Sequence, residues 1–195
     1  MSTLDYYNHN AEQFYDSTVK VEMESIYAPF LRYLPEHASI LDLGCGSGRD
    51  SLAFHQKGYQ VDATDYSETL VSKAQQLTGL AVRQQSFYDL DEVNKYDGIW
   101  ACASLLHCER QKLPAVLSRI LHALKTDGVL YMSFKYGSTD REKDGRHFTD
   151  LNEQQAQALL REVPDFLLLQ QWITVDKRPE RSEEWLNILV KKINT

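Results

Sequence analysis

ILDLGCGSGRD, residues 40–50, is the stretch that decides the fold of this chain. The residues at 39–43 are mostly leucine and isoleucine and predict a short buried strand. Three glycines follow at alternate positions, and a helix-forming segment then begins. Glycine has no Cβ to block a ligand, and a helix start offers unpaired N–H groups. The segment therefore predicts the first strand of a doubly wound α/β fold with a nucleotide-like ligand on the turn after it, or, alternatively, a tight turn alone.

The spacing of the glycines separates two kinds of nucleotide site. A dinucleotide-binding loop has the pattern G-x-G-x-x-G/A, and its small third residue lets the helix pack closely on the strand. Here the glycines are Gly44, Gly46 and Gly48, and Arg49 stands where that small residue should be. A long charged side chain at this position disfavours a nicotinamide-dependent dehydrogenase, which is kept as an alternative.

A carboxylate follows the second predicted strand, about 20 residues beyond the glycine loop. The segment YQVDAT, residues 59–64, predicts this strand, and Asp65 ends it. A carboxylate here can accept hydrogen bonds from both hydroxyls of a ribose. In the structural alternative, Asp65 opens the turn before Ser67, which would cap a helix over residues 68–76. The two roles are compatible.

Composition and charge limit the class of protein. The chain has 195 residues, is 43% hydrophobic and 25% charged, and carries a formal charge of −7. This length predicts one domain over residues 1–195, with residues 1–35 as an N-terminal helical cap. No apolar run approaches the ~20 residues of a membrane helix, and the first residues do not resemble a secretory signal. The absence of a basic stripe disfavours a nucleic-acid partner.

The three cysteines, Cys45, Cys102 and Cys108, have no paired spacing. An odd number without such spacing argues against a disulfide scaffold and favours a reducing compartment, so we expect a cytoplasmic protein. No Cys-x-x-Cys or His-x-x-x-His pair occurs in the sequence. We therefore expect no metal site.

The rest of the chain alternates strands and helices, a pattern typical of a mostly parallel sheet. Further strands are predicted near residues 80–84, 96–102 and 129–135, and a helix over 113–124. The polar stretch 136–149 lacks periodicity and is predicted to be a loop. The last two strands, FLLLQQWITV and EEWLNILVKK, are joined by a short charged turn and should be antiparallel. The predicted fold is a doubly wound, mostly parallel seven-stranded α/β sheet with a C-terminal antiparallel hairpin.

Together these features resemble the class I S-adenosylmethionine (SAM) methyltransferases, whose Rossmann-like sheet has seven strands and a terminal hairpin. The glycine loop and GYQV (58–61) resemble the tellurite-resistance methyltransferases and their relatives. The segments DGIWACASLLH (97–107), SFKYG (133–137) and GRHF (145–148) are similar to one bacterial branch of that group. The resemblance covers nearly the whole chain and implies methyl transfer from SAM, and the absence of a basic stripe favours a small-molecule acceptor over nucleic acid. The resemblance does not establish tellurite as that acceptor.

The resemblance also implies which residues bind SAM. The glycine loop would hold the methionyl and ribose portion, Asp42 would orient the ammonium, and Arg49 would pair with a nearby carboxylate. The adenine motif usually begins with an acid, but Ser86 occupies that place, and Asp89 either replaces the acid or faces solvent. The N-terminal helix would act as a lid, with Tyr15 or Tyr7 reaching the methionyl carboxylate, or would simply pack on the domain. The implied cofactor-binding residues are Tyr15, Asp42, Gly44, Cys45, Gly46, Gly48, Arg49, Asp65, Tyr66, Ser86, Phe87, Tyr88, Ala101 and Cys102.

Three residues are candidates for the chemistry. Methyl transfer is an in-line displacement at an activated sulfonium carbon, so the protein mainly aligns the acceptor and excludes water. His107 follows the fourth strand and is the candidate base, unless it only shapes the pocket. Lys135 and Arg146 would suit an anionic acceptor. Alternatively, each of these two cations pairs with a surface acid such as Glu142 or Asp144.

A non-catalytic SAM-binding or scaffolding protein is the alternative function. The glycine loop does not distinguish it from an enzyme, because both would bind the same ligand. The acceptor side does: if His107, Lys135 and Arg146 point away from the cleft, the binding protein is favoured.

Overall fold

A central seven-stranded sheet organises the computed structural model, which describes residues 1–193. The strands in this part of the chain are β1 (Ser39–Leu43), β2 (Gln60–Asp65), β3 (Val82–Gln84), β4 (Tyr96–Ala101), β5 (Leu124–Lys135), β6 (Asp140–Lys143), β7 (Arg146–Thr149), β8 (Phe166–Val175) and β9 (Glu184–Lys192). The main sheet has the order β3-β2-β1-β4-β5-β9-β8, and β6 and β7 form a separate hairpin. The first five strands pair in parallel, and β9 and β8 are antiparallel. The predicted seven-stranded α/β fold is confirmed.

Helices cover both faces of this sheet. They are α1 (Thr3–His9), α2 (Ala11–Thr18), α3 (Glu24–Leu31), α4 (Arg49–Gln56), α5 (Glu68–Thr78), α6 (Leu113–Ala123) and α7 (Glu153–Arg161). Buried side chains of α6 and α7 join one apolar cluster with β4, β5 and β9. Those of α3 and α4 join a second cluster, in which the Trp100 ring stacks on Tyr131 with centroids 3.9 Å apart. Among the described residues, no helix has the length and hydrophobicity needed to span a membrane.

A buried carboxylate at the start of α4 ties three elements together. Asp50 accepts hydrogen bonds from the Tyr27 hydroxyl of α3 at 2.5 Å and from Trp100 Nε1 of β4 at 2.8 Å. The neighbouring Arg49 guanidinium donates to both of its oxygens. Burial alone would raise the pKa of Asp50, but Arg49 and the two other donors hold it below its usual value. The charge is thus compensated inside the core, as a buried carboxylate requires.

Two predicted boundaries were wrong. Residues 136–149 are not a loop throughout, because β6 and β7 form an antiparallel hairpin around Asp144 and Gly145. Both turn residues have positive φ, 54° and 76°, as two-residue hairpin turns require. In addition, β5 begins at Leu124, rather than at Val129, because Leu124 pairs with Tyr96 before a bulge in the ladder.

Replacing Asp50 should destabilise the fold more than removing the Tyr27 hydroxyl that donates to it. Asp50→Asn removes the charge that compensates the buried Arg49, so we expect the free energy of unfolding to fall by about 3 kcal/mol. Tyr27→Phe removes one hydrogen bond and should cost about 1 kcal/mol. Urea denaturation followed by circular dichroism measures both losses. Equal losses in the two variants would contradict the role of the charge.

Candidate active site

A cleft of about 740 Å³ opens where the parallel strands end. Its walls come from the glycine loop after β1, the turns after β2 and β3, the end of β4, the β6–β7 hairpin and the turn between β8 and β9. Helices α1 and α2 contribute further wall residues, including Tyr7 and Phe14. This edge is where open parallel sheets bind their ligands.

The glycine loop lies flat against the neighbouring strands. The N–H groups of Gly44 and Cys45 both donate to the Thr64 carbonyl oxygen of β2, at 2.9 and 2.8 Å. Gly44 has a φ of +79°, and a Cβ added there would lie 2.5 Å from the Ser104 Cβ. Only glycine therefore allows the backbone to pass so close to the segment after β4.

Asp65 connects this loop to the next helix. One carboxylate oxygen accepts from the Gly46 N–H at 2.9 Å, and the other accepts from the Ser67 N–H at 2.8 Å. Ser67 in turn caps α5 by accepting from the Leu70 N–H. Burial raises the pKa of Asp65, and the backbone N–H groups around it partly oppose that rise. A carboxylate offers about four lone pairs, so Asp65 can still accept a hydrogen bond from a ligand in the cleft.

Asp42 lies beneath the loop rather than on the cleft surface. It is only 2% exposed and accepts a hydrogen bond from the Ser51 hydroxyl at 2.6 Å. Burial and the nearby Asp50 carboxylate raise its pKa. This position supports the turn from below, and its direct contact with a cofactor ammonium stays a prediction.

Most of the other predicted cofactor residues do reach the cleft. Those on its wall are Gly44, Cys45, Gly46, Arg49, Asp65, Tyr66, Ser86, Phe87, Tyr88 and Cys102. Those outside the wall are Tyr15, Asp42, Gly48 and Ala101. The Tyr15 ring instead lies 5.2 Å from the Lys73 ammonium, and its predicted contact with the methionyl carboxylate stays a prediction. Arg49 pairs with Asp50 and also donates to the Thr18 carbonyl oxygen of α2.

The hydrogen bonds of His107 define its tautomer. Its Nδ1 lies 2.7 Å from the His147 carbonyl oxygen, which can only accept, so Nδ1 carries the proton. Its Nε2 lies 2.8 Å from the Tyr7 hydroxyl of α1. In the neutral ring Nε2 can only accept, so Tyr7 donates to it. The imidazole is thereby held between the hairpin and the N-terminal helix.

His107 is a weak base in this setting. Burial is the main cause that lowers the pKa of His107, to about 4. The positive charges of Arg146 and Lys135 lower it further, and the hydrogen bond to the His147 carbonyl opposes this shift. The imidazole is therefore neutral near pH 7, and its lone pair is already engaged by Tyr7. The role of His107 as a general base stays a prediction.

Lys135 and Arg146 both line the cleft, and both have acidic neighbours. The Lys135 ammonium pairs with Glu183 from the turn before β9. The Arg146 guanidinium reaches Asp144 at 3.3 Å, one of the two acids that the sequence suggested. Burial lowers the pKa of Lys135, and Glu183 partly restores it. The cations thus face the cleft and are paired at the same time.

Several residues of the acceptor side were not among the predicted site residues. Asp176 accepts from both the Nε and Nη2 of Arg178 and from Trp185 Nε1, and all three residues line the cleft. Tyr6 lies against the Arg146 guanidinium, with its ring centroid 3.9 Å away. The charged turn DKRPERS was visible in the sequence, but charges in a turn are ordinarily solvated. Only the strand order brings that turn to the cleft.

Comparisons with known proteins find similarity to methyltransferases. A family model described as a methyltransferase domain matches residues 40–128. An uncharacterized methyltransferase of Staphylococcus carnosus is 29% identical over 124 residues, which cover 60% of this chain and 60% of that protein. The probable SAM-dependent methyltransferase TehB of Haemophilus influenzae is 28% identical over 87 residues, or 42% of this chain and 30% of TehB. The chain thus spans only part of the length of the curated relatives it matches.

A solved structure gives the same result for the fold. The 1,6-didemethyltoxoflavin-N1-methyltransferase of Burkholderia thailandensis, with bound 1,6-didemethyltoxoflavin and S-adenosylhomocysteine, superposes with a TM-score of 0.79 at 24% identity. The match covers 97% of this chain and 85% of that one. Residues 40–128 are thus similar to a methyltransferase domain, and the chain has the Rossmann-like fold of the class I SAM-dependent methyltransferases. The resemblance inferred from the glycine loop is confirmed.

The low pKa of His107 should make stability depend on pH. The folded value of about 4 lies below the ordinary 6.5, so the unfolded chain binds more protons between these values. The stability that neutral His107 contributes is therefore lost as the pH falls from about 6.5 towards 4. In urea denaturation over this range, His107→Gln should flatten the slope by up to about 1.4 kcal/mol per pH unit.

An exposed histidine provides the control. The exposed side chain of His122 in α6 hydrogen-bonds the Ser118 carbonyl of its own helix. The slope of His122→Gln should match that of the wild-type protein. An unchanged slope in His107→Gln would show that the imidazole is not held neutral by its surroundings.

Proposed function

We propose that this chain transfers a methyl group from SAM to a small-molecule acceptor. The observation that carries the proposal is the pairing of the glycine loop with Asp65, which leaves carboxylate lone pairs facing a cleft large enough for a cofactor and an acceptor. When bound, SAM would supply the activated methyl carbon on its sulfonium. The protein would contribute alignment of the acceptor and exclusion of water.

A polar atom beside the loop also fits the cofactor. The Ser104 hydroxyl lines the cleft next to Gly44, is enclosed, and has no hydrogen-bond partner among the described residues. Buried polar groups are normally paired, so an unpaired one at a cleft wall suits a ligand group. The Ser104 hydroxyl, the Asp65 carboxylate and the exposed Tyr66 side chain would together give the cleft polar contacts for both ends of SAM.

The acceptor half of the cleft supports an anionic small molecule. Lys135 and Arg146 line it, and the lowered pKa of the nearby His107 disfavours that imidazole as a proton acceptor near pH 7. An acceptor that is already negatively charged would need no base and would be attracted by both cations. We also propose a cytoplasmic location, which the three free cysteines support.

The alternative of a non-catalytic SAM-binding protein is less well supported. A protein that only bound SAM would have no need for ionisable side chains beside the cofactor. Here all three candidates, His107, Lys135 and Arg146, line the same cleft as the glycine loop. Formation of S-adenosylhomocysteine from SAM in the presence of a small-molecule cell extract would separate the two functions, because a binding protein would form none.

Asp65→Asn should weaken binding of S-adenosylhomocysteine by about tenfold or more, because a hydrogen bond to a charged group is lost. Isothermal titration calorimetry should give a one-site isotherm for the wild-type protein and measure the loss. Asp62→Asn is the matched control, because Asp62 lies in the same strand but binds Tyr96 and Lys95 away from the cleft. No heat with the wild-type protein, or equal losses in both variants, would refute the proposal.

A further inference from the structure

Positive charge is concentrated in the half of the cleft away from the glycine loop. The whole chain has a formal charge of −7. Yet the cationic residues on this half of the wall are Lys135, Arg141, Lys143, Arg146, Lys177, Arg178 and Arg181. The acidic residues there are Glu109, Asp144, Asp176 and Glu183. Cations therefore outnumber acids on this surface, against the balance of the chain.

Most of these cations are held by carboxylates of the protein. Asp176 binds both the Nε and the Nη2 of Arg178, and Asp150 binds the Nε and Nη2 of Arg141. Lys135 pairs with Glu183. In Arg141 and Arg178 the Nε–Nη2 edge, which fits a carboxylate, is thus already occupied by a carboxylate of the protein.

Arg146 has the same edge, but it is only partly filled. Its Nη2 reaches the largely exposed Asp144 at 3.3 Å, and its Nε is enclosed without an acceptor among the described residues. The guanidinium lies 3.9 Å from the centroid of the Tyr6 ring and 5.1 Å from that of Phe148. These two rings pack on the guanidinium, and the Tyr7 hydroxyl also lies beside it. Even so, Nε has no acceptor among the described residues, and Nη2 is held by the exposed Asp144.

We propose that the Nε–Nη2 edge of Arg146 binds a carboxylate group of the methyl acceptor, which makes small carboxylic acids the substrate class of this site. This inference rests on the proposed function. The two parallel N–H groups of an arginine edge match the two oxygens of a carboxylate, as Asp176 and Asp150 already show in this cleft. Asp144 would give up Nη2 at little cost because it is solvated.

The proposal also assigns a role to α1. Tyr6 of this helix covers the guanidinium, and Tyr7 beside it holds His107. A ligand therefore reaches Nε only when α1 lifts, and the helix then closes over the bound carboxylate. The aromatic rings of Tyr6 and Phe148 would exclude water from the ion pair and strengthen it.

Benzoate and benzamide are suitable probes, because they have nearly the same shape and differ in charge. We expect isothermal titration calorimetry on the protein saturated with S-adenosylhomocysteine to give saturable binding of benzoate and none of benzamide. Arg146→Gln should weaken benzoate binding by about tenfold or more. Arg146→Lys should lose most of the affinity as well, because lysine keeps the charge but not the paired N–H groups.

Arg110→Gln is the matched control. Arg110 pairs with Asp140 on the same hairpin but does not line the cleft, so its replacement should leave benzoate binding unchanged. Thermal unfolding of each variant shows whether it is folded. Equal affinity for benzoate and benzamide, undiminished benzoate binding by Arg146→Gln, or no benzoate binding at any soluble concentration would overturn the proposal. If phosphate bound instead of benzoate, and Arg146→Gln abolished that binding, the substrate class would be tetrahedral oxyanions and not carboxylates. That result would also overturn the proposal.

The test separates this inference from the proposed function. Binding of S-adenosylhomocysteine depends mainly on Asp65 and the glycine loop, so Arg146→Gln should weaken it far less than it weakens benzoate binding. If the nucleoside does not bind, the proposed function fails, and the benzoate titration on the protein alone still decides whether Arg146 binds carboxylates. If the nucleoside binds and benzoate does not, only the substrate class fails.

Discussion

The two hydrogen bonds of the Asp65 carboxylate are the constraint on which the cleft depends. One joins β2 to the glycine loop through Gly46, and the other joins it to the start of α5 through Ser67. The Asp65 carboxylate fixes these backbone N–H groups by accepting hydrogen bonds from them directly. No partner side chain is needed opposite it, so the wall stays open to a ligand. The arrangement also explains why Asp65 serves the turn and the site at once. The same oxygens hold the backbone and keep lone pairs for a polyhydroxylated ligand.

The strand order of this protein determines where its basic residues gather. The acidic surplus of the chain lies elsewhere, while the hairpin after β5 and the turn between β8 and β9 bring their arginines and lysines to one edge of the sheet. These segments are separated in sequence, and they meet because β9 inserts between β5 and β8. Net charge therefore says little about the acceptor, whose surroundings have the opposite sign, and the absence of a nucleic-acid partner stays a prediction.

The parts of the fold that depend on local pattern could be predicted, and those that depend on distant pairing could not. The glycine loop, Asp65 and the terminal hairpin each carry their own signal. The early start of β5 depends on Leu124 pairing with Tyr96, which no local pattern shows. The β6–β7 hairpin did have a signal, the Asp144–Gly145 pair typical of tight turns. The polar strands around that pair lack the apolar alternation of a half-buried sheet, so the sequence pattern did not indicate the hairpin.

The N-terminal helices join the two halves of the cleft into one site. On the cofactor side, Asn8 accepts from the Ser67 hydroxyl at 2.6 Å, and the Phe14 ring packs on Gly46. On the acceptor side, Tyr7 donates to His107, and the Thr3 hydroxyl accepts from the His147 N–H. A ligand in either half that stabilises the docked helices thereby favours the geometry that the other half needs, and this linkage is reciprocal. Because the same short segment closes both halves, exclusion of water around the sulfonium and around the acceptor would occur in a single step.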